Sequence, residues 1–372
     1  MIQIATPSMG EEELNAVKEC LESGWVTQGP KVQQFEENFA KMCESNYAVA
    51  TSSCTTALHL ALLALGIGKG DGVLVPSFTW IATANAVEYC GATPIFCDIE
   101  LDYLNIDIYD AENKIRQAKK NGINVKAIIP VHFAGVCADM QLAKELASIF
   151  RLRIIEDAAC ASGSKYFGRY AGTVGDIGCF SFHPRKVLVT GEGGMCITNN
   201  EELFEKLRQL RNHGSTMKPQ DNNLPEFNVL GYNYRMTDIQ AAIGIVQLSK
   251  LSKFISERQK WAKFYQQELQ LPWLKTPKIP TGTSTSWQSF VCMVEGDRNK
   301  IMNYLQEKGI STRPGTHAVH MLSYYRKKYN LQDSDLPKAK LAYEQSIALP
   351  LHNQMTEIDY QYVVDMLRNY GG

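Results

Sequence analysis

Short apolar runs alternate with longer stretches in which apolar residues recur at helical spacing. "NYAVATSS" (46–53) reads as a strand, and "TTALHLALLALG" (55–66) follows as a helix closed by Gly66. "DGVLVPSFTW" (71–80) and "TANAVEYCG" (83–91) repeat the strand-then-helix order. "ATPIFCDIE" (92–100), "VKAIIPVHF" (125–133), "LRIIEDAA" (152–159), "DIGCFSF" (176–182) and "GGMCITN" (193–199) continue the strands. "DMQLAKELASIFR" (139–151) is an amphipathic helix between two of them. Near-continuous apolar strands alternating with helices predict an α/β fold with a mostly parallel sheet covered on both faces. After Thr237 the pattern changes. Residues 238–269 read as one long helix, and the Pro- and Thr-rich "TPKIPTGTSTS" (276–286) interrupts the chain. "SFVCMVE" (289–295), "RNKIMNYLQEKG" (298–309) and "ISTRPG" (310–315) then read as strand, helix, strand. The expected division is a large domain over residues 1–240, N-terminal arm included, and a smaller domain over 241–372 entered through the long helix.

The 372 residues are 45% hydrophobic and 21% charged, with a formal net charge of -1. A near-neutral chain argues against a nucleic-acid partner read through bulk charge, while a local anion site needs only a few donors. No run of about 18 apolar residues is free of charges, so no membrane span is expected. "MIQIATPSMGEEEL" lacks a basic region followed by an apolar one, so no signal peptide is expected. The 10 cysteines include no C-x-x-C pair, and several lie inside apolar runs. They read as free thiols in a reducing compartment, which points to the cytoplasm.

In a parallel sheet ligands gather at the carboxyl ends of the strands, and four stretches place polar residues there. In "TSSCTTALHL" a strand ends and a helix begins, so free N–H groups favour an anion, with Ser52, Ser53 and Thr55 adding donors. A plain N-cap satisfies the same pattern. In "IIEDAACASGS", Glu156 and Asp157 end an apolar strand and must be solvated, hydrogen-bonded or paired with a cation. In "SFHPRKVLVTGEGG", Lys186 follows a buried strand and precedes a glycine-rich turn. A lysine among apolar strands is expected to have a depressed pKa and to be a nucleophile; Arg185 keeps its proton and cannot be one. A solvated surface lysine is the alternative. In "PSFTWIATANAV", Trp80 stands just after a strand, placed either to stack on a planar ligand or to fill the core. A phosphate cup, a stacking ring, a carboxylate and a lysine together meet the needs of pyridoxal 5'-phosphate (PLP).

The combination of "VPSFTWIATANAVEYCGATPIFCDI", "IIEDAACASGS", "SFHPRKVLVTGEGGM" and "GYNYRMTDIQAAIG" closely resembles the DegT-type nucleotide-sugar aminotransferases. These are PLP enzymes of the three-layer α/β/α aspartate-aminotransferase fold (fold type I). The likeness runs from "SGWVTQGP" through "GYNYRMTDIQAAIG" and more loosely to "STRPGTHAVH". The resemblance implies that Lys186 is the Schiff-base lysine and Asp157 the partner of the pyridine nitrogen. It implies that Trp80 stacks on the ring, and that Ser181 and Thr55 hold the phosphate beside the Cys54 backbone. Asn233 is similar to a residue that reaches the phosphate of the neighbouring subunit, which implies a homodimer with a shared active site. The chain departs from the family in three places. Cys54 stands where Gly is usual, Cys160 where Gln or Glu contacts the ring or substrate, and Val189 where Thr is commoner.

By the same resemblance, L-glutamate donates the amine, pyridoxamine 5'-phosphate carries it, and a nucleotide-linked keto-sugar receives it. The "TGEGG" ending resembles that of members acting on 4-keto-6-deoxy sugars, which favours C4 over the C3 amination of members with a "GDAG"-like ending; O-antigen, other surface glycans and secondary metabolites stay open as the pathway. UDP, GDP and dTDP stay open as the nucleotide. His183 is a contact for the sugar or a cap for the strand end, and Arg313 of "STRPG" a contact for the sugar or the phosphate. His317 and His320 of "THAVH" read as a loop near the substrate; without acidic or cysteine neighbours they suggest no metal. Competing readings are a sugar dehydratase, whose relatives replace the lysine by histidine, a regulatory protein on an inactive scaffold, and a plain phosphate-binding protein. Retention of Lys186 and Asp157 argues against the first two.

Overall fold

A computed structural model describes residues 1–216 and 225–370 of the chain. Seven strands build the central sheet: β1 (Tyr47–Thr51), β2 (Asp71–Pro76), β3 (Thr93–Cys97), β4 (Asn124–Ile128), β5 (Arg153–Asp157), β6 (Ile177–Ser181) and β7 (Gly194–Thr198). Their spatial order is β1-β7-β6-β5-β4-β2-β3. The pairings β6–β5, β5–β4, β4–β2 and β2–β3 are parallel; β7 alone runs against both its neighbours.

The reason these runs become interior strands is visible in where alternate side chains go. Val49, Val73, Val75, Ala127, Ile129, Ile155, Cys179 and Cys196 enter one apolar cluster. Their neighbours Ala48, Ala50, Phe180, Met195 and Ile197 enter a second, and Leu74, Ile128 and Ile154 a third, on the opposite face. Period-two alternation with both faces apolar demands helices on both faces. Helix Cys54–Ala64 covers the first face, and helices Pro30–Met42 and Met140–Phe150 the other.

The helix predicted over 238–269 is observed as Asp238–Glu268. Thr237 caps it by accepting from the Gln240 N–H, and Gln240 reaches back to the Thr237 N–H. Its first half packs Leu251 and Phe254 into the core on the central sheet, and its second half packs Ala262 and Tyr265 against a smaller sheet. That smaller sheet is antiparallel, in the order β8 (Leu274–Lys275), β9 (Phe290–Val294), β10 (Ser346–Leu349). Helix Arg298–Glu307 follows β9 as the spacing predicts.

The strand predicted at "ISTRPG" is absent. Ile310 makes a single bridge to Ile2, and Arg313 a single bridge to Ala348 of β10. Pro314 has no N–H to extend the ladder. The third strand is instead β10, a four-residue run too short to stand out against Pro350. The Ile2–Ile310 bridge lays the N-terminus on this part of the chain, while Val319, Tyr325, Ala339 and Ala342 return to the core of the central sheet.

Candidate active site

Parallel strands end on one edge of the sheet, so Asp157 at the end of β5 and Ser181 at the end of β6 lie side by side there. The reversal of β7 matters here. Gly194 pairs with Ser181, so residues 182–193 leave and re-enter the sheet at that same edge and carry Lys186 with them. A cavity of about 500 Å³ opens at this edge. It is lined by Ser53, Cys54, Thr55, Trp80, Asp157, Cys160, Ser181, His183, Lys186 and Arg313, all singled out in the sequence.

Period two along β5 separates its two terminal carboxylates. Glu156 points away from the cavity and is fully buried. It accepts from His132 Nε2 at 2.9 Å and from the N–H groups of Gly172, Val174 and Gly175 at 2.8, 2.6 and 2.6 Å. Burial pushes its carboxyl up, the His132 hydrogen bond and the three amides pull it down, and the balance lies below the usual glutamate value. His132 Nδ1 accepts the Ala138 N–H at 3.1 Å, so Nε2 is the nitrogen that donates to Glu156. Glu156 is thus a structural anchor.

Asp157 points into the cavity and has fewer partners. Thr83 Oγ1 donates to Oδ2 at 2.8 Å and the Ala159 N–H to Oδ1 at 3.2 Å. Burial dominates, and the carboxyl lies above the usual aspartate value despite Thr83, Ala159 and Lys186. A carboxylate in this setting gains from a cation placed against it. Thr83 was not anticipated. Its signal was its position three residues after Trp80, on the first turn of helix Ala82–Tyr89, which turns its hydroxyl to the same edge.

Lys186 Nζ donates to Cys160 Sγ at 3.0 Å. The sequence predicts a depressed lysine, and the structure reverses this. Burial pushes the ammonium down, but the Cys160 and Cys54 sulfurs and Asp157 outweigh it, and the balance lies above the usual lysine value. Of these groups only Asp157 ends an apolar strand; Cys54 opens a helix and Cys160 lies in the turn after β5.

Ser53 caps helix Cys54–Ala64 by accepting the Thr56 N–H at 3.2 Å. The cap is observed and uses the Ser53 hydroxyl, while among the described residues the N–H groups of Cys54 and Thr55 have no acceptor. The helix start is held against β7 by Gly194. A Cβ there would lie 2.5 Å from the Ser53 carbonyl group and 2.6 Å from the Cys54 nitrogen.

Trp80 follows the two-residue strand Phe78–Thr79, which pairs with His317–Ala318. The indole is 59% exposed and its ring centroid is 5.6 Å from that of His317. His317 does not line the cavity, and its Nδ1 is buried without a partner. His320 lies deeper, with Nδ1 2.6 Å from Ser77 Oγ. His183 Nδ1 accepts the Arg185 N–H at 3.2 Å, and burial holds its imidazole below the usual histidine value. Asn233 is exposed and lies outside this chain's own cavity, bridged to Asn212. Arg185, Glu192 and Gln288 also line the cavity and were not foreseen as ligand contacts.

Among the described residues no helix is long and apolar enough to cross a membrane. Residues 7–368 match the DegT/DnrJ/EryC1/StrS aminotransferase family. An uncharacterised protein of Methanocaldococcus jannaschii, MJ1066, is 38% identical over 97% of this chain and 95% of its own length. The aminotransferase TlmJ from Streptoalloteichus hindustanus superposes with a TM-score of 0.90 at 33% identity, over 99% of this chain and 98% of that one. Spr1654 from Streptococcus pneumoniae, provisionally described as a sugar aminotransferase and solved in its PMP form, superposes with a TM-score of 0.93 at 27% identity, over 99% and 98% of the two chains.

Proposed function

The chain belongs to the DegT/DnrJ/EryC1/StrS aminotransferase family, and from that premise we propose that it is a PLP-dependent enzyme moving an amino group from L-glutamate to a nucleotide-linked keto-sugar. The acceptor is a 4-keto-6-deoxy sugar, and the product an amino sugar for a surface glycan such as O-antigen. The working unit is a cytoplasmic homodimer. One observation carries the reading. A lysine amine, a buried and under-bonded carboxylate and two free amide N–H groups at a helix start share one cavity.

That donor set fits PLP. When bound, the cofactor supplies an aldehyde that captures amines and a ring that accepts electron density. Asp157, raised and short of partners, holds the proton on the ring nitrogen. Lys186 Nζ would hold the aldehyde carbon, its oxygen leaving as water, and the free amine would take the proton from the α-carbon of the amino donor. The amides of Cys54 and Thr55, with Ser53 and Ser181, hold the phosphate at the helix start. Trp80 covers the ring face and excludes water. Cys160 accepts from Lys186 and so sets where the free amine rests. Asn233, exposed on its own chain, reaches the phosphate in the neighbouring subunit's site. His183 and Arg313 meet the acceptor, and His317 acts through the indole it packs against. Residues 1–240 carry the cofactor side, and residues 241–372 form the smaller domain that supplies Arg313 to the acceptor.

The test is a pair of half-reactions. The holoprotein shows a visible imine band that L-glutamate bleaches as 2-oxoglutarate forms, and a panel of UDP-, GDP- and dTDP-linked keto-sugars is screened for its return. Absence of the band from protein purified with PLP, or failure of every amino donor to bleach it, overturns the proposal.

A further inference from the structure

We infer that Arg185 and Arg313 form a two-cation clamp at the cavity mouth, and that it grips the diphosphate of the nucleotide-linked acceptor. This rests on the aminotransferase reading above and adds to it a recognition role for Arg185, the residue beside the lysine.

The two side chains come from different sheets. Arg185 sits in the loop between β6 and β7, at the edge of the central sheet. Arg313 is tied to β10 of the smaller sheet: its N–H donates to the Ala348 carbonyl at 3.4 Å and its carbonyl accepts the Ala348 N–H at 2.7 Å. Both line the same cavity and both are exposed, unlike Asp157 at its floor. The Arg185 backbone is held too. Its N–H donates to His183 Nδ1 at 3.2 Å, and its carbonyl accepts from Gln288 Nε2 at 3.1 Å, a tie across the cleft.

Neither guanidinium has a partner among the described residues. No carboxylate oxygen lies within 4.0 Å of either, and neither donates to any acceptor. Arginines with structural work in this chain show it. Arg211 donates to Glu36 and to the Ala50 carbonyl, and Arg258 to the carbonyls of Trp287, Gln288 and Leu351. The cavity's carboxylates are Asp157, held by Thr83 and Ala159, and Glu192. The two residues line one cavity, and after burial the charge of Arg313 lowers the Arg185 guanidinium further. Like charges held together are relieved by an anion that bridges them.

Depth selects the anion. The donor amine reacts at the floor, beside Lys186, and carries its α-carboxylate two bonds away. In a sugar nucleotide the diphosphate lies across the sugar ring from a carbonyl at C4. With that carbonyl at the floor, the diphosphate comes to the mouth. Two adjacent phosphoryl groups present acceptors to two guanidinium forks, the geometry in which arginine outperforms lysine.

The experiment titrates UDP, GDP and dTDP separately into PLP-loaded protein by calorimetry, for the wild type and for Arg185→Gln, Arg313→Gln and Arg185→Lys. It also measures kcat/KM of both half-reactions. We expect at least one nucleoside diphosphate to bind the wild type. Each Gln variant should lose about tenfold to a hundredfold in that affinity, show a shallower salt dependence, and lose several times more in the keto-sugar half than in the glutamate half. Arg185→Lys should recover part of the loss. Unweakened binding by Arg185→Gln, or a loss concentrated in the glutamate half, overturns the clamp and leaves the aminotransferase reading standing. Failure of the wild type to react with any amino donor overturns both.

Discussion

Replacing Asp157 by Asn tests the electrostatic heart of the site. The two side chains have nearly the same shape, and the neighbours can adapt. The Ala159 N–H keeps an oxygen acceptor, and the Thr83 hydroxyl can accept from the new amide while it turns its own proton to Thr79 Oγ1, 3.1 Å away. What changes is charge. In the cofactor-free protein burial raises the Asp157 carboxyl, so its ionisation opposes folding. That penalty is absent below the usual value of 3.8, grows as pH rises from there to the folded-state value, and is complete above it. The Asn apoprotein is therefore expected to melt at or above the wild-type temperature at pH 7. With PLP bound the sign reverses. Each Asp157 oxygen takes one protein donor, leaving a lone pair for the ring N–H. Losing one charge-assisted hydrogen bond costs about 1.5–3 kcal/mol, or roughly tenfold to 150-fold in cofactor affinity. Losing the charge that stabilises the transition state costs a further factor of about 10²–10³ in kcat. Melting curves with and without PLP, cofactor titration and stopped-flow of the glutamate half-reaction read all three. An Asn variant with wild-type kcat and wild-type PLP affinity would refute the assignment of Asp157.

Three other substitutions probe the rest of the site. Lys186→Ala should abolish turnover and the visible imine band, and added methylamine should not restore more than a trace of rate; a band that persists in the variant and is bleached by borohydride would place the imine elsewhere. Gly194→Ala drives a Cβ into the Ser53–Cys54 backbone, which should cost about 1–3 kcal/mol of stability and weaken PLP binding, both visible in melts with and without cofactor. Glu156→Gln leaves buried donors poorly matched and should cost about 1–3 kcal/mol at pH 7 for each one left unpaired. Since the folded Glu156 carboxyl lies below its usual value, the stability it contributes is full above pH 4.5 and lost as pH falls through the folded value. The difference between wild type and variant should shrink in acid; a pH-independent difference counts against the anchor.

Much of this was legible before any coordinates. The strand series was readable because runs such as "DIGCFSF" and "LRIIEDAA" are apolar on both faces, and a both-faces-apolar strand has nowhere to go but the middle of a layered sheet. The short run at 346–349 was missed and "ISTRPG" over-read, because four residues carry too little period and a proline's missing N–H is felt only against a particular neighbour. The lysine's direction of shift was misjudged for a related reason. Apolar strands were visible in sequence, but the Cys160 sulfur that Nζ contacts and the Cys54 sulfur that acts on it come from two other segments.

Residue chemistry alone determined the list of actors: a lysine, a carboxylate, a capped helix start and an aromatic, each at a predicted strand end, because covalent and acid–base needs are properties of side chains and strand ends are set by local pattern. Only the tertiary structure decided which of two adjacent carboxylates faces the cavity, that Lys186 rests on Cys160, that Thr83 donates to Asp157, and that Arg185 and Arg313 line one cavity from separate parts of the fold. Those facts depend on strand parity, on the reversal of β7 and on contacts between residues more than 20 positions apart, and separation in space between distant segments is not written in any local period.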